Sequence, residues 1–233
     1  MKVLALDTSS KMCSVSLIEN DKLILEKTNN DEKTHSQKLM PLIDELLQET
    51  NTSLAQIGLI ACCVGPGSFT GVRIGVATAK AFVDVKKMDC MGITSLEGLA
   101  FGTNKQGYVC SIIDAKNDNV YYSLIEFKDD KYNIIFMESN NIYDVLKKIK
   151  DYKSIVFVGD GAIKHKEKII ENIEDPYFSE NNIQSSVTIG KIALKRYTEG
   201  ERKGSNSLNP IYLKKSQAER ARDGEKWLKM KYK

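Results

Sequence analysis

Among the 233 residues of this chain, those whose types and spacing best suit chemistry run from Gly65 through Pro66, Gly67, Ser68 and Gly71 to Phe82. They follow a fully apolar run, Leu59–Val64, and their glycines and proline force a sharp reversal before an alanine-rich helix. A strand, a glycine turn and a helix N-terminus together can hold a phosphate, because unpaired backbone N–H groups and the helix dipole point toward it. The lysine that completes a P-loop is missing, since no Gly-Lys-Ser/Thr follows. A second candidate is the turn Asp7-Thr8-Ser9, which offers hydroxyls and amides at a strand end. It has no glycine to let backbone approach a phosphate closely, so an ordinary turn explains it as well. Asp114 and Asp160 also stand at strand ends, where a carboxylate acts as a base, holds magnesium or simply forms a turn.

Other chemistries find little material. The two histidines, His35 and His165, are far apart and neither has a second His at i+4, so neither H-E-x-x-H nor a Cys/His cluster exists. There is no G-x-S-x-G elbow. The five cysteines (Cys13, Cys62, Cys63, Cys90, Cys110) are odd in number, lie mostly in apolar runs and show no C-x-x-C spacing. They read as buried thiols in a reducing compartment. A hydrophobic fraction of 42% and a charged fraction of 28% fit a soluble globule, and no apolar run approaches the roughly 20 residues of a membrane span. The expectation is a cytoplasmic protein with no metal and no cofactor. The net charge of +3 is unevenly placed: segment 214–233 carries eight Lys/Arg against three Asp/Glu, interleaved with Trp227 and Tyr232. Such a tail suits either a solvated helix or contact with RNA.

The elements that must position these groups follow from periodicity. Val3–Leu6, Cys13–Glu19 and Lys22–Lys27 read as three strands, the last two joined by a turn at Asn20-Asp21. Ser36 is expected to cap a helix bearing Leu39, Leu42, Ile43, Leu46 and Leu47 at i, i+3, i+4, i+7 and i+8. The strand Leu59–Val64, the glycine-turn helix and a strand at Met91–Ile93 come next. The order then returns: strands at Tyr108–Ile113, Val120–Phe127 and Tyr132–Met137, a helix at Ile142–Ile149, and a strand at Ile155–Val158 ending in Gly159-Asp160-Gly161. Helices are predicted over Lys164–Glu171 and Ser186–Tyr197. The repeated order predicts two related α/β halves, 1–103 and 104–233, with segment 214–233 packing back on the first.

The glycine-turn helix is apolar on two sides. Gly71, Gly75 and Ala79 form a small-residue face beside a ridge of Val72, Val76 and Val83, while Ile74, Ala77 and Ala81 are free to face the sheet from the opposite side. A helix apolar on both sides needs two neighbours, and for its small-residue face both the chain's own sheet and a partner helix stay open.

Taken together, Leu6-Asp7-Thr8-Ser9-Ser10, the stretch from His35 to Pro41, Gly65 to Arg73, Gly92 to Leu96, Ile113-Asp114-Ala115 and Pro210 to Leu213 resemble, in the same order, the TsaB (YeaZ) family. The likeness covers essentially the whole chain. It implies an α/β fold of the actin-like ATPase and sugar-kinase superfamily (ribonuclease H-like), and a part in making N6-threonylcarbamoyladenosine in tRNA. It further implies a non-catalytic scaffold subunit that pairs with the transferase TsaD through its N-terminal helices. TsaE joins that pair, tRNA is reached through the complex, and the chain forms a homodimer when alone. The residues fit a member without catalysis: His35 is followed at i+4 by Leu39, and Asp114-Ala115-Lys116-Asn117 puts Ala and Lys where a phosphate hairpin needs glycines. The expected partner interface is Leu39, Leu42, Ile43, Leu46, Gly71, Val72, Gly75, Val76, Ala79 and Val83, and Val76→Arg is expected to break pairing without unfolding the chain. The competing reading is a small-molecule kinase or ATPase of the same fold, with Asp7, Thr8, Ser9 and Asp114 near nucleotide and magnesium. A free-standing tRNA binder working through the basic tail is a third.

Overall fold

In the computed structural model, which describes residues 1–30, 34–129 and 131–213, the chain builds the same sheet twice. The first contains β1 (Lys2–Asp7), β2 (Cys13–Glu19), β3 (Lys22–Asn29), β4 (Ile57–Cys63) and β5 (Asp89–Ile93), in the order β3-β2-β1-β4-β5. The second contains β6 (Gly107–Asp114), β7 (Asn119–Lys128), β8 (Lys131–Asn141), β9 (Val156–Val158) and β10 (Tyr177–Phe178), in the order β10-β9-β6-β7-β8. Each sheet pairs its first three strands antiparallel and its later ones parallel.

Among the described residues seven α-helices cover the faces: α1 (His35–Glu49), α2 (Phe69–Lys86), α3 (Ser95–Phe101), α4 (Ile142–Ile149), α5 (Asp160–Lys164), α6 (Lys166–Asn172) and α7 (Ser186–Thr198). Period-two alternation divides the strands between two cores. Leu4 and Leu6 of β1 and Ile60 and Cys62 of β4 pack under α1 and α2. Val3, Ala5, Leu59 and Ala61 pack under α7. Burial on both faces is why these strands read as unbroken apolar runs.

The helices do not respect a single cut in the chain. α7, from the second half, lies on the first sheet. α3, which follows β5, lays Leu96, Leu99 and Ala100 on the second sheet against Val109, Ile125 and Val158. These two helices form the layer between the sheets and touch each other.

Several boundaries differ from expectation. Thr34, not Ser36, precedes α1, and its N–H donates to the Gln37 side chain at 3.2 Å, leaving Ser36 in the first turn. The helix expected over Lys164–Glu171 is α6, and a separate short helix, α5, precedes it, starting within the Gly159-Asp160-Gly161 stretch expected as a turn. α3 and the two-residue β10 were not expected from periodicity at all. Segment 214–233, with Trp227 and Tyr232, lies outside the described residues.

Candidate functional site

Between the two halves opens a cleft of 750 Å³, with Ser9, Ser10 and Ser68 on one wall and Asp114, Lys116 and Asp160 on the other. The glycine turn borders it, and several of its backbone groups bond within the chain. Ser68 N–H donates to Ser9 O at 2.7 Å, Gly65 O accepts from Ser95 N–H at 3.0 Å, and Pro66 O accepts from the Ser95 hydroxyl. A Cβ on Gly67 would sit 2.2 Å from Ser9 O, and one on Gly71 would sit 2.1 Å from Thr8 O. The glycines therefore serve the close approach of α2 to the chain's own Asp7–Ser9 turn. Thr8 completes that seam by donating from Oγ1 to Gly71 O at 2.7 Å. These bonds tie the glycine turn to the Asp7–Ser9 turn and to the start of α3.

Asp7 is buried behind the same wall. Its Oδ1 accepts from Ser9 N–H at 2.8 Å and from Ser9 Oγ at 2.7 Å, while Oδ2 is buried without a partner. Burial raises its pKa above the usual carboxylate range, with Ser9 opposing the shift. Asp114, across the cleft, accepts from Lys164 Nζ at 2.8 Å and from Lys116 N–H at 3.1 Å. Asp160 Oδ1 accepts from the Asp114 backbone N–H at 3.1 Å, which ties the Asp160 carboxylate to the end of β6. Each is bound into a turn or an ion pair. Lys116, Asn117 and Asp118 adopt left-handed φ of 64°, 52° and 56°, so the β6–β7 turn takes a glycine-favouring conformation while its side chains occupy the space. Among the described residues no group of three or more His, Cys, Asp or Glu could hold a metal ion.

The expected interface residues fall elsewhere than on a surface. Leu39, Leu42, Ile43 and Leu46 of α1, and Gly71, Val72, Gly75, Val76, Ala79 and Val83 of α2, are all buried within the chain itself. The reason is the seam above: the small face of α2 is used to reach Thr8, and its valines fill the core beside α1. Ile74, Ala77 and Ala81, expected to face the sheet, instead turn outward; Ala77 and Ala81 are exposed and Ile74 is half-buried. With Thr78, Phe82 and Val85 they form two adjacent stripes at i, i+4, i+8, and Val85 is 77% exposed. On α1, Met40 is 50% exposed and Pro41 is also exposed. At the N-terminal end of α2, Phe69 and Tyr212 lie 5.2 Å apart, and Arg73 sits 3.7 Å over the Phe69 ring while its Nε donates to Tyr212 Oη at 2.7 Å.

One sheet arrangement built twice, with an exchanged helix layer, is the fold of the actin-like ATPase and sugar-kinase class. The polyphosphate/ATP-glucomannokinase of Arthrobacter sp. strain KM superimposes with a TM-score of 0.52 over 85% of this chain and 99% of its own, at 9% identity. YeaZ from Pseudomonas aeruginosa fits better, with a TM-score of 0.77 over 91% of this chain and 99% of its own, at 22% identity. The family model described as TsaD, tRNA N6-adenosine threonylcarbamoyltransferase, matches residues 22–222. The tRNA threonylcarbamoyladenosine biosynthesis protein TsaB of Bacillus subtilis is 29% identical over 94% of this chain and 96% of its own length. The chain belongs to the TsaB (YeaZ) family, within the wider group described by that TsaD model.

Proposed function

We propose that this chain is a non-catalytic scaffold subunit that binds and supports TsaD in the synthesis of threonylcarbamoyladenosine in tRNA. The observation that carries the reading is a contrast between two surfaces. The cleft that a kinase of this fold would use has its glycine turn and carboxylates engaged internally. The outer face of α2, by contrast, presents Ala77, Ala81 and Val85 exposed, flanked by Ile74 and Phe82, which are half-buried against the core. Apolar surface at helical spacing suits a partner helix. The same face would pair two copies of the chain when TsaD is absent, and TsaE would join the TsaD-bound form.

The test is reconstitution with a threonylcarbamoyl-adenylate source, TsaD, TsaE and tRNA, with and without this chain, quantifying the modified nucleoside by mass spectrometry. Product that depends on the chain is the expected result. Equal product without it would sink the scaffold reading, and submillimolar ATP binding by calorimetry would then favour a kinase or ATPase.

A further inference from the structure

Arg73 and Asp84 stand about three turns apart along α2, on one edge of its exposed face. Between them lie Ala77 and Ala81, both exposed and too small to hold a neighbouring helix away. The face thus carries a cation toward its N-terminal end, an anion toward its C-terminal end and small apolar residues in the middle. Among the described residues neither Arg73 nor Asp84 belongs to an ion pair.

Both charges are held in place by the segment that follows α7. Ser205 Oγ donates to Asp84 Oδ1, Lys80 Nζ donates to Asn209 Oδ1 at 3.4 Å, and Arg73 Nε donates to Tyr212 Oη at 2.7 Å. Segment 205–212 therefore runs along α2 in the opposite direction. The Arg73 guanidinium also lies 3.7 Å over the Phe69 ring and 5.5 Å over that of Tyr212. Its Nη groups make no hydrogen bond among the described residues. A guanidinium fixed by two rings, with its fork open, has already lost side-chain freedom, so an ion pair costs it little further entropy.

We infer that the α2 faces of two copies of this chain pack antiparallel about a two-fold axis, with Arg73 of each copy against Asp84 of the other. One axis, level with Ala79, sets Arg73 opposite Asp84 and Ala77 opposite Ala81 to within about half a residue. Because Arg73 and Asp84 share one edge of the helix, that axis brings them to the same side of the contact; on opposite edges they would miss each other. A parallel arrangement would set Arg73 against Arg73 and repel. A nucleic-acid backbone would meet one guanidinium, two alanines and a repelling carboxylate. The pattern complements itself, and that is the mark of an isologous contact. The inference rests on the reading of the α2 face given above and supplies the register of its two-copy form.

Sedimentation velocity of the full chain alone, at low salt and micromolar concentration, tests it. Symmetry forms the pair twice, so Arg73→Gln and Asp84→Asn should each raise the dimer Kd about fivefold, and Arg73→Asp and Asp84→Arg at least about tenfold. The combined Arg73→Asp/Asp84→Arg variant restores opposite charges and should return to within about threefold of wild type. Lys147→Glu, a charge reversal on the exposed side of α4, should match wild type. A combined variant no better than its single parents, single variants that dimerise like wild type, or a monomeric wild type would overturn the register. So would an Arg73→Asp chain that loses TsaD but keeps the dimer, which would give the guanidinium to a carboxylate of TsaD instead. Co-elution with TsaD keeps the two readings apart. A wild type that dimerises yet fails to pair with TsaD removes only the scaffold role, and one that pairs with TsaD yet stays monomeric alone removes only this dimer.

Discussion

Arg196 of α7 and Glu97 of α3 form an ion pair at the centre of the molecule, where Glu97 has 3% of its side chain exposed and Arg196 20%. The two residues sit on the two helices that cross between the sheets. The other Glu97 oxygen accepts from Thr94 N–H at 3.0 Å and from Thr94 Oγ1 at 2.6 Å, so the carboxylate also caps α3. A buried charge that loses its partner costs far more than the pair contributes. Arg196→Met should therefore destabilise the chain by about 3 kcal/mol, and Glu97→Gln added to it should recover part of that loss. Denaturant titration of the single and double variants checks this; additive losses would show that the two groups do not interact.

The outward and inward faces of α2 separate partner binding from folding. Val76 is 4% exposed and Ala81 is exposed. Val76→Arg should unfold the chain or cost about 4 kcal/mol or more, because it buries a guanidinium in the core beneath α2. Ala81→Arg should shift stability by no more than about 0.5 kcal/mol and abolish co-elution with TsaD. Thermal melts beside size-exclusion runs read both, and undiminished co-elution of a folded Ala81→Arg would remove this face from the interface.

The seam between α2 and the Asp7–Ser9 turn predicts a strong response to one methyl group. A Cβ on Gly71 would meet Thr8 O at 2.1 Å and His35 Cδ2 at 2.7 Å. Since one of those atoms is backbone, the helix must move, and Gly71→Ala should cost about 3 kcal/mol even though alanine is the better helix former. A stabilised Gly71→Ala, seen as a raised Tm, would contradict the contact.

Asp7 and His165 give opposite pH dependences. Burial raises the Asp7 pKa in the folded chain, so the folded form holds a proton that the unfolded chain has released above about 3.8. Stability from this group is fully present below that value and is lost as pH rises through the raised folded pKa. His165 is buried and its pKa is lowered by that burial, with Lys168 and Lys164 adding to the effect. Its contribution is present above the unfolded value of about 6.5 and is lost as pH falls through the lowered folded pKa. Asp7→Asn should remove the first slope and His165→Gln the second, measured as ΔG of unfolding between pH 4 and pH 8. Wild-type slopes surviving in both variants would rule these groups out as the source.

Legibility in the sequence followed how locally each feature is determined. β2 (Cys13–Glu19) and α4 (Ile142–Ile149) lie where alternation and apolar spacing put them. α3 escaped notice because Ser95–Ala100 is buried on every side and so has no polar face to give it a period. Its start was nonetheless marked by Thr94-x-x-Glu97, a capping box that pattern reading can find. The face of α2 was misassigned for a related reason: glycines and valines on one side and alanines with Ile74 on the other are both apolar, and only the position of Thr8 decides between them. Glu97, Arg196 and Tyr132 come from three distant segments and carried no shared local signal.

The exchange of α3 and α7 also governs the order in which the molecule can be completed. As the chain leaves the ribosome, the side of the first sheet bearing Val3, Ala5, Leu59, Ala61 and Met91 has no cover until Ser186–Thr198 has been made. The opening half is thus an unfinished object for most of its synthesis, with a greasy surface that chaperones or a sister nascent chain can grip. Premature termination anywhere upstream of α7 leaves that surface without its covering helix, the kind of exposed apolar face that favours aggregation.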